Sequence, residues 1–231
     1  MVNTSPVILI LGSGPNIGQH VARAFAGKGY KVALASRSLK EEDSNEDRVY
    51  ISADLSDPHS VKDIFSKVKA SLGLPSVVVY NEAAATTPND PENPLSLPLA
   101  NFNRDFQINT TSAFAAAQQA ALSFEQLPDH RSKTFIYTGN ILNSTPIANL
   151  LDLGVGKSAT AHIIRSAATA YSDRGFKFYY ADERYADGAP AYSGVNGEAH
   201  GKFYAELAEH KFQGPWQQTF VKDIGYKHFS A

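Results

Sequence analysis

The stretch PVILILGSGPNIGQHVARAFAGKGYKVALASRS, residues 6–38, constrains the fold more than any other part of the chain. A continuous apolar run, Val7 to Leu11, turns through Gly12, Gly14 and Gly18. It leads into a segment carrying Ile17, Val21, Ala24 and Phe25 at helical spacing, and then into a second apolar run, Val32 to Ala35. Strand, tight turn, helix, strand is the pattern of parallel pairing with a helical crossover. The order repeats: RVYISADL reads as a third strand, DPHSVKDIFSKVKASLG as a helix opened by Pro58 and Ser60, and SVVVYN as a fourth strand. Strands that are apolar throughout, rather than alternating, are buried on both faces, which a parallel sheet covered by helices achieves.

After a proline-rich loop at 88–98, an alanine-rich helical stretch runs from about Phe102 to Leu127, with a bend or break expected near Thr110 because NTTS is poor helix material. KTFIYTGN is a fifth strand, GKSATAHIIRSAATAYSDRG a helix ended by Gly175, and FKFYYAD a sixth strand. GEAHGKFYAELAEHKF is amphipathic, and QQTFVK fits an edge strand. The expected fold is α/β: one Rossmann-type, doubly wound parallel sheet of six to seven strands with helices on both faces, forming a single domain over 1–231. No repeat, charge block or linker marks a second domain, and 231 residues suit one.

Bulk properties remove several functions. A hydrophobic share of 43%, a charged share of 19% and a net charge of -2 describe a soluble globular chain with no electrostatic reason to bind nucleic acid or an anionic membrane. The absence of cysteine excludes disulfides, zinc thiolates and a cysteine nucleophile. The seven histidines show no metal-ligand spacing, so no metal is expected. VILIL is too short for a membrane span and lacks the flanks of a signal peptide, so a cytoplasmic location is expected.

The glycine loop points to a cofactor. Glycines between a first strand and a first helix give a tight turn and let the main chain approach a pyrophosphate, whose charge the helix N-terminus favours. Gly12, Ser13, Gly14, Asn16, Ile17 and Gly18 are therefore candidate contacts, a plain strand-to-helix turn being the alternative. Eighteen residues beyond Gly18, where a carboxylate would hold the ribose 2′-hydroxyl of NAD, stand Ser36 and Arg37. Serine leaves room and arginine supplies charge for a 2′-phosphate, which favours NADP(H). Arg37 as a solvated loop residue is the competing reading.

With these motifs the chain resembles the short-chain dehydrogenase/reductase family over nearly its whole length. LGSGPNIG is similar to that family's Thr-Gly-x-x-x-Gly-Ile-Gly loop, with Leu11 for the threonine and Asn16 for the middle glycine. ADLSD resembles its pair after the third strand, which implies Asp54 on the adenine amino group and Leu55 on the ring. VVVYNEAA matches its Asn-Asn-Ala-Gly segment, keeping Asn81. Alone, Asp54 and Asn81 read as a helix cap and a turn residue.

The family's catalytic set is Asn, Ser, Tyr and Lys. The resemblance places the asparagine, which there holds a water for a proton relay, at Asn109, and the lysine at Lys157, whose helix tracks the family's without a gap through Arg165, Arg174 and Gly175. The tyrosine then falls on Leu153, the serine on Asn140, and the Pro-Gly pair that faces the nicotinamide on Glu183 and Arg184. A carbonyl accepting hydride becomes an alkoxide and needs an acid, which leucine cannot be. Asn140 still donates a hydrogen bond, and Lys157 by resemblance binds the nicotinamide ribose. The plainer readings stay open: Asn109 satisfying main chain, Asn140 as a turn residue, Lys157 as an exposed lysine at a helix start.

Tyr179, Tyr180, Asp182 and Glu183 lie near the carboxyl end of the sixth strand, where ligands bind in such sheets. Three functions follow: an NADP(H)-binding oxidoreductase with an altered or lost reduction site; a non-redox isomerase, cyclase or dehydratase in the same pocket; or a non-catalytic cofactor sensor or scaffold. A homodimer or homotetramer through helices 102–127 and 157–172 is implied by the resemblance. The small-molecule substrate is not legible in the sequence.

Overall fold

The computed structural model describes residues 5–229. The apolar runs fold as expected. β1 (Val7–Leu11) leads through the glycine loop to α1 (Ile17–Gly27) and β2 (Lys31–Ser36), followed by β3 (Arg48–Ser52), α2 (Ser60–Ser71) and β4 (Val77–Tyr80). The second half comprises α3 (Leu99–Phe106), α4 (Ser112–Gln126), β5 (Thr134–Thr138), α5 (Leu151–Tyr171), β6 (Lys177–Arg184), α6 (Gly197–Glu209), β7 (Gln217–Val221) and β8 (Gly225–Tyr226).

One sheet holds every strand of the described residues, in the order β3-β2-β1-β4-β5-β6-β7-β8, parallel throughout except for the final pair. Successive strand residues point to opposite faces, so β1 feeds two cores. Leu9 and Leu11 pack with Ile64, Phe65, Phe124 and Ile164 from α2, α4 and α5, while Ile8 and Ile10 pack with Val21, Phe25, Tyr204 and Leu207 from α1 and α6. The chain winds outward from β1 to β3, then restarts at β4 on the other side of β1. This reversal opens a crevice at the carboxyl ends of β1 and β4.

Three elements differ from the sequence expectation. The sheet has eight strands rather than six or seven; β8 is a two-residue antiparallel strand, too short to leave a hydrophobic pattern. The QQTFVK segment is consequently not the edge, because β7 lies between β6 and β8. Helix α5 begins at Leu151, fed by a 3-10 turn at Ala148–Leu150, so Lys157 stands in its second turn and is buried rather than exposed at a helix start. The expected irregularity near Thr110 is a π-helical segment, Gln107–Thr111, between α3 and α4. Helix α5 packs directly on that segment: a Cβ on Gly156 would lie 2.5 Å from Asn109 Cβ, so only glycine permits the approach.

Candidate functional site

The glycine loop takes its shape from close contacts at its two ends, Gly12 and Gly18, and open space between them at Gly14. Gly12 has φ +91°, and a Cβ there would lie 2.4 Å from the Glu82 main-chain nitrogen, so the turn demands glycine. Its N–H donates to the Ala35 carbonyl at 2.9 Å, and its carbonyl accepts from Asn81 Nδ2 at 2.8 Å. At Gly14 the reverse holds: no atom lies within 4 Å of where a Cβ would be. Gly18 is buried in the first turn of α1. Ser13 Oγ donates to Ser36 Oγ at 3.1 Å, tying the loop to the end of β2, next to the exposed Arg37.

Asn16 is engaged within the protein. Its Nδ2 donates to the Val195 carbonyl and its Oδ1 accepts the Gly197 N–H, both at 2.9 Å, which clasps the loop to the start of α6. On the other side of the loop, Ser36, Arg37, Asp54, Leu55 and Glu82 share a narrow cleft. Asp54 Oδ1 accepts the Ser56 N–H at 2.9 Å; that bond, with Arg37 nearby, lowers its pKa. Burial raises the pKa of Glu82, a residue the sequence did not single out.

The crevice deepens into a cavity of about 470 Å³ lined by Gly14, Asn16, Ile17, Asn81, Asn140, Leu153, Lys157, Asp182 and His200, among others. Leu153 and Lys157, one helical turn apart, therefore face the same space. Lys157 is 4% exposed; its Nζ donates to the Thr138 carbonyl at 2.8 Å and stands 4.5 Å from the centre of the Tyr137 ring. Burial lowers its pKa to about 7, against the opposing influence of Asp182. Asn140 Oδ1 caps a 3-10 turn by accepting the Leu142 N–H, which leaves Nδ2 as its side-chain donor. Its main chain is pinned by Tyr180, whose hydroxyl accepts from Asn140 N at 3.0 Å and donates to Asn140 O at 2.7 Å.

Asn109 is not among the residues lining this cavity. Its side chain pairs with the main chain of Ala84 through two bonds of 2.9 and 2.7 Å, and its carbonyl accepts the hydroxyls of Tyr137 and Thr160. Asp152, the neighbour of Leu153, points elsewhere and accepts the Thr86 N–H at 2.7 Å.

The end of β6 supplies what the sequence left undecided. Tyr179 and Tyr180 are core residues, fully buried. Asp182 is also fully buried, and its Oδ2 accepts from Arg184 Nε at 2.6 Å and Nη2 at 2.5 Å, while its Oδ1 has no hydrogen-bond partner among the described residues. Burial raises the Asp182 pKa, opposed by Arg184 and Lys157. Glu183 Oε2 accepts the Asn196 N–H at 2.7 Å and lies 3.4 Å from His200 Nδ1. Burial depresses the His200 pKa to about 4, so the ring is neutral near pH 7. Both Glu183 and Arg184 are still within β6, so the strand continues where the resemblance expects a Pro-Gly turn.

These features fit a dinucleotide. The open face at Gly14 gives close main-chain access, and Asn81 Oδ1, like Asp182 Oδ1, is a buried acceptor without a partner, suited to a ribose hydroxyl or an amide N–H. Among the described residues no group of His, Asp and Glu is arranged to hold a metal ion, and no helix is long and apolar enough to cross a membrane.

Residues 12–181 match the family model described as enoyl-(acyl carrier protein) reductase. The chain is 48% identical over 238 residues to the short chain dehydrogenase/reductase dmxR12 of Cryptosporiopsis sp. (strain 8999), across 99% of this chain and 96% of that one. Among solved structures, a 3-oxoacyl-[acyl-carrier protein] reductase from Brucella melitensis superposes with a TM-score of 0.76 at 17% identity, covering 88% of this chain and 89% of that one. BdcA in complex with NADPH gives 0.71 at 20% identity, covering 97% of each. At such identities the structural likeness speaks to the fold.

Proposed function

The chain belongs to the short-chain dehydrogenase/reductase family, and from that membership we propose that it is an NADP(H)-binding oxidoreductase by descent whose carbonyl-reduction site is altered. The family's fold implies a nicotinamide cofactor. Gly12 to Gly18 would hold its pyrophosphate, Ser36 and Arg37 a 2′-phosphate, Asp54 and Leu55 the adenine, and Asn81 and Lys157 the ribose nearest the nicotinamide. The NADPH in the BdcA structure supports the phosphorylated form.

One observation carries the reading: Leu153 and Lys157 line the same cavity as the glycine loop, and Leu153 presents methyl groups at the position from which the resemblance expects a proton. When bound, the cofactor supplies hydride chemistry. Around it, Asn140 Nδ2 can stabilise a developing oxyanion, and the Asn109 clamp on Ala84 sets the loop that follows β4. Loss of a general acid costs about two to four decades in rate. Calorimetry is expected to give micromolar or tighter NADPH binding, about -8 kcal/mol, with NADH weaker and little turnover on simple ketones. Absence of NADPH binding refutes the proposal.

A non-redox activity in the same cavity is the second reading, favoured by Asp182, whose Oδ1 is unpartnered, in the cavity that also holds Lys157. A homodimer or homotetramer is proposed through α4 and α5, whose outer faces expose Phe114, Leu122 and Val155. Sedimentation velocity distinguishes either from a monomer.

A further inference from the structure

We propose that Lys157 is an amine nucleophile: the cavity takes an apolar aldehyde or ketone, and Nζ condenses with its carbonyl carbon to form an imine. This goes beyond the cofactor reading and is an activity of the dinucleotide-free chain, because that reading gives Lys157 to the nicotinamide ribose in the same cavity.

Three observations meet at the site. The wall around the lysine is largely apolar, formed by Pro15, Ile17, Ile141, Leu142, Leu150 and Leu153, so a hydrophobic carbonyl compound is favoured over a hydrated or charged one. Within that wall Lys157 is held by the Thr138 carbonyl and the Tyr137 ring, and the residue one turn earlier, Leu153, is aliphatic; the phenol that lines the cavity is that of the largely exposed Tyr192. Finally, Asp182 lines the same cavity with one carboxylate oxygen fixed by Arg184 and the other unpartnered. Desolvation, which brings the amine's pKa to about 7, keeps roughly half of it neutral at neutral pH.

The step balances without an oxidant or reductant. The nitrogen lone pair attacks the carbonyl carbon, the π pair moves to oxygen, and proton transfer from nitrogen to that oxygen gives a carbinolamine. The hydroxyl then takes a proton from a general acid and leaves as water while the nitrogen lone pair closes the C=N bond as an iminium, and return of the remaining N–H proton to the conjugate base of that acid gives the imine. We assign that acid–base role to Asp182, whose side chain lines the same cavity; Oδ1 makes no hydrogen bond to Nζ, so the transfer runs through a water. The other titratable groups at the cavity are Tyr137 on β5, Glu183 on β6 with Arg184 on Asp182, the neutral His200 on α6, and the largely exposed Tyr192 between β6 and α6. Tyr204 of α6 donates to Thr138 Oγ1, on the residue whose carbonyl holds Nζ.

Lys177 provides an internal control. It is equally buried, and its pKa is lowered to about 8, yet its Nζ is spent on the carbonyls of Leu207, Ala208 and His210 at the end of α6, away from the cavity. The proposal accordingly assigns the reactive amine to Lys157 and not to Lys177.

The test is reductive trapping of the full chain with benzaldehyde and sodium cyanoborohydride at pH 7, followed by intact mass and peptide mapping. At that pH the neutral fraction of Lys157 exceeds that of an ordinary lysine by about 10³-fold. Apart from the α-amino group, which is also partly neutral at pH 7, one adduct is expected, on the Lys157 peptide, forming at least tenfold faster than on Lys177 or the exposed lysines. Lys157→Arg and Lys157→Met are expected to lose it, and Asp182→Asn to slow it about tenfold. Labelling of Lys157 no faster than of Lys177 in the unmodified chain overturns the proposal and needs no variant. An unchanged rate in a folded Asp182→Asn protein overturns the role given to that carboxylate. NADPH calorimetry on the same protein reads the cofactor proposal separately, so either can fail alone.

Discussion

Restoring a phenol at position 153 tests the placement of the catalytic elements directly. Residues 153 and 157 are four apart on α5, hence about 40° apart around the axis and about 6 Å along it, so a tyrosine at 153 would stand over the amine of Lys157. The cavity of about 470 Å³ has room for the added ring atoms. A lysine cation nearby lowers a phenol's pKa, and the amine is half charged near pH 7. Asn140→Ser adds a hydroxyl donor and keeps a side-chain oxygen able to cap the turn that Asn140 Oδ1 now caps. The double variant Leu153→Tyr, Asn140→Ser is therefore expected to raise kcat/KM for cyclic ketones by about 10² to 10⁴, the usual contribution of a general acid, which is about 3–5 kcal/mol of barrier. Loss of NADPH absorbance over a ketone panel measures it, with calorimetry alongside. A double variant that binds NADPH like the parent but turns over no faster refutes the assignment of residue 153.

Gly12→Ala forces a Cβ to 2.4 Å from Glu82 N at a positive φ and is expected to cost about 2 kcal/mol or more in urea unfolding; Gly14→Ala meets nothing and should leave the midpoint unchanged while weakening NADPH at least tenfold. Because His200 has a folded pKa of about 4 against 6.5 when free, the unfolded chain binds the extra proton between those values, so its contribution is present above pH 6.5 and lost as pH falls toward 4. Asp182 and Glu183, whose pKa values are raised, act in the opposite sense, so the measurement is the difference in acid unfolding between the parent and His200→Gln, in which the parent should lose the more stability. Lys157→Met should stabilise the chain at pH 7 by a few kcal/mol, about 2–4, and the gain should shrink as pH rises toward 10.5, where lysine is neutral folded or unfolded. A gain that grows with pH contradicts the buried-amine description.

The strands were legible because burial on both faces leaves uninterrupted runs such as VILIL and VVVY, and the glycine loop because its backbone geometry admits few other residues. The first turns of α5 were hidden: LDLGVG carries two glycines, which weaken the helical pattern, and Gly156 is there for close packing on Asn109 rather than to end a helix. Asn16 matched a loop motif, but a motif does not reveal that both ends of the side chain reach across to Val195 and Gly197. Asp182 could be placed near the ligand edge from the sequence. The grip on its other oxygen depends on Arg184 two residues later sitting on the same side of a strand, which required the strand to extend through 184.

The cavity is also costly in a way that argues against simple decay of an old site. Holding Lys157 with its pKa at about 7 rather than 10.5 costs roughly 4 kcal/mol near neutral pH, comparable to the whole stability of a marginal domain. A buried carboxylate oxygen without a partner adds to that. A pocket relieved of function gains stability by exchanging such groups for well-packed apolar ones, and Lys157 and Asp182 offer the largest gains. Leu153 is apolar, yet these two charged positions remain, facing the same space. The energetic logic therefore supports the proposal that the cavity retains chemistry at the Lys157 amine and the Asp182 carboxylate.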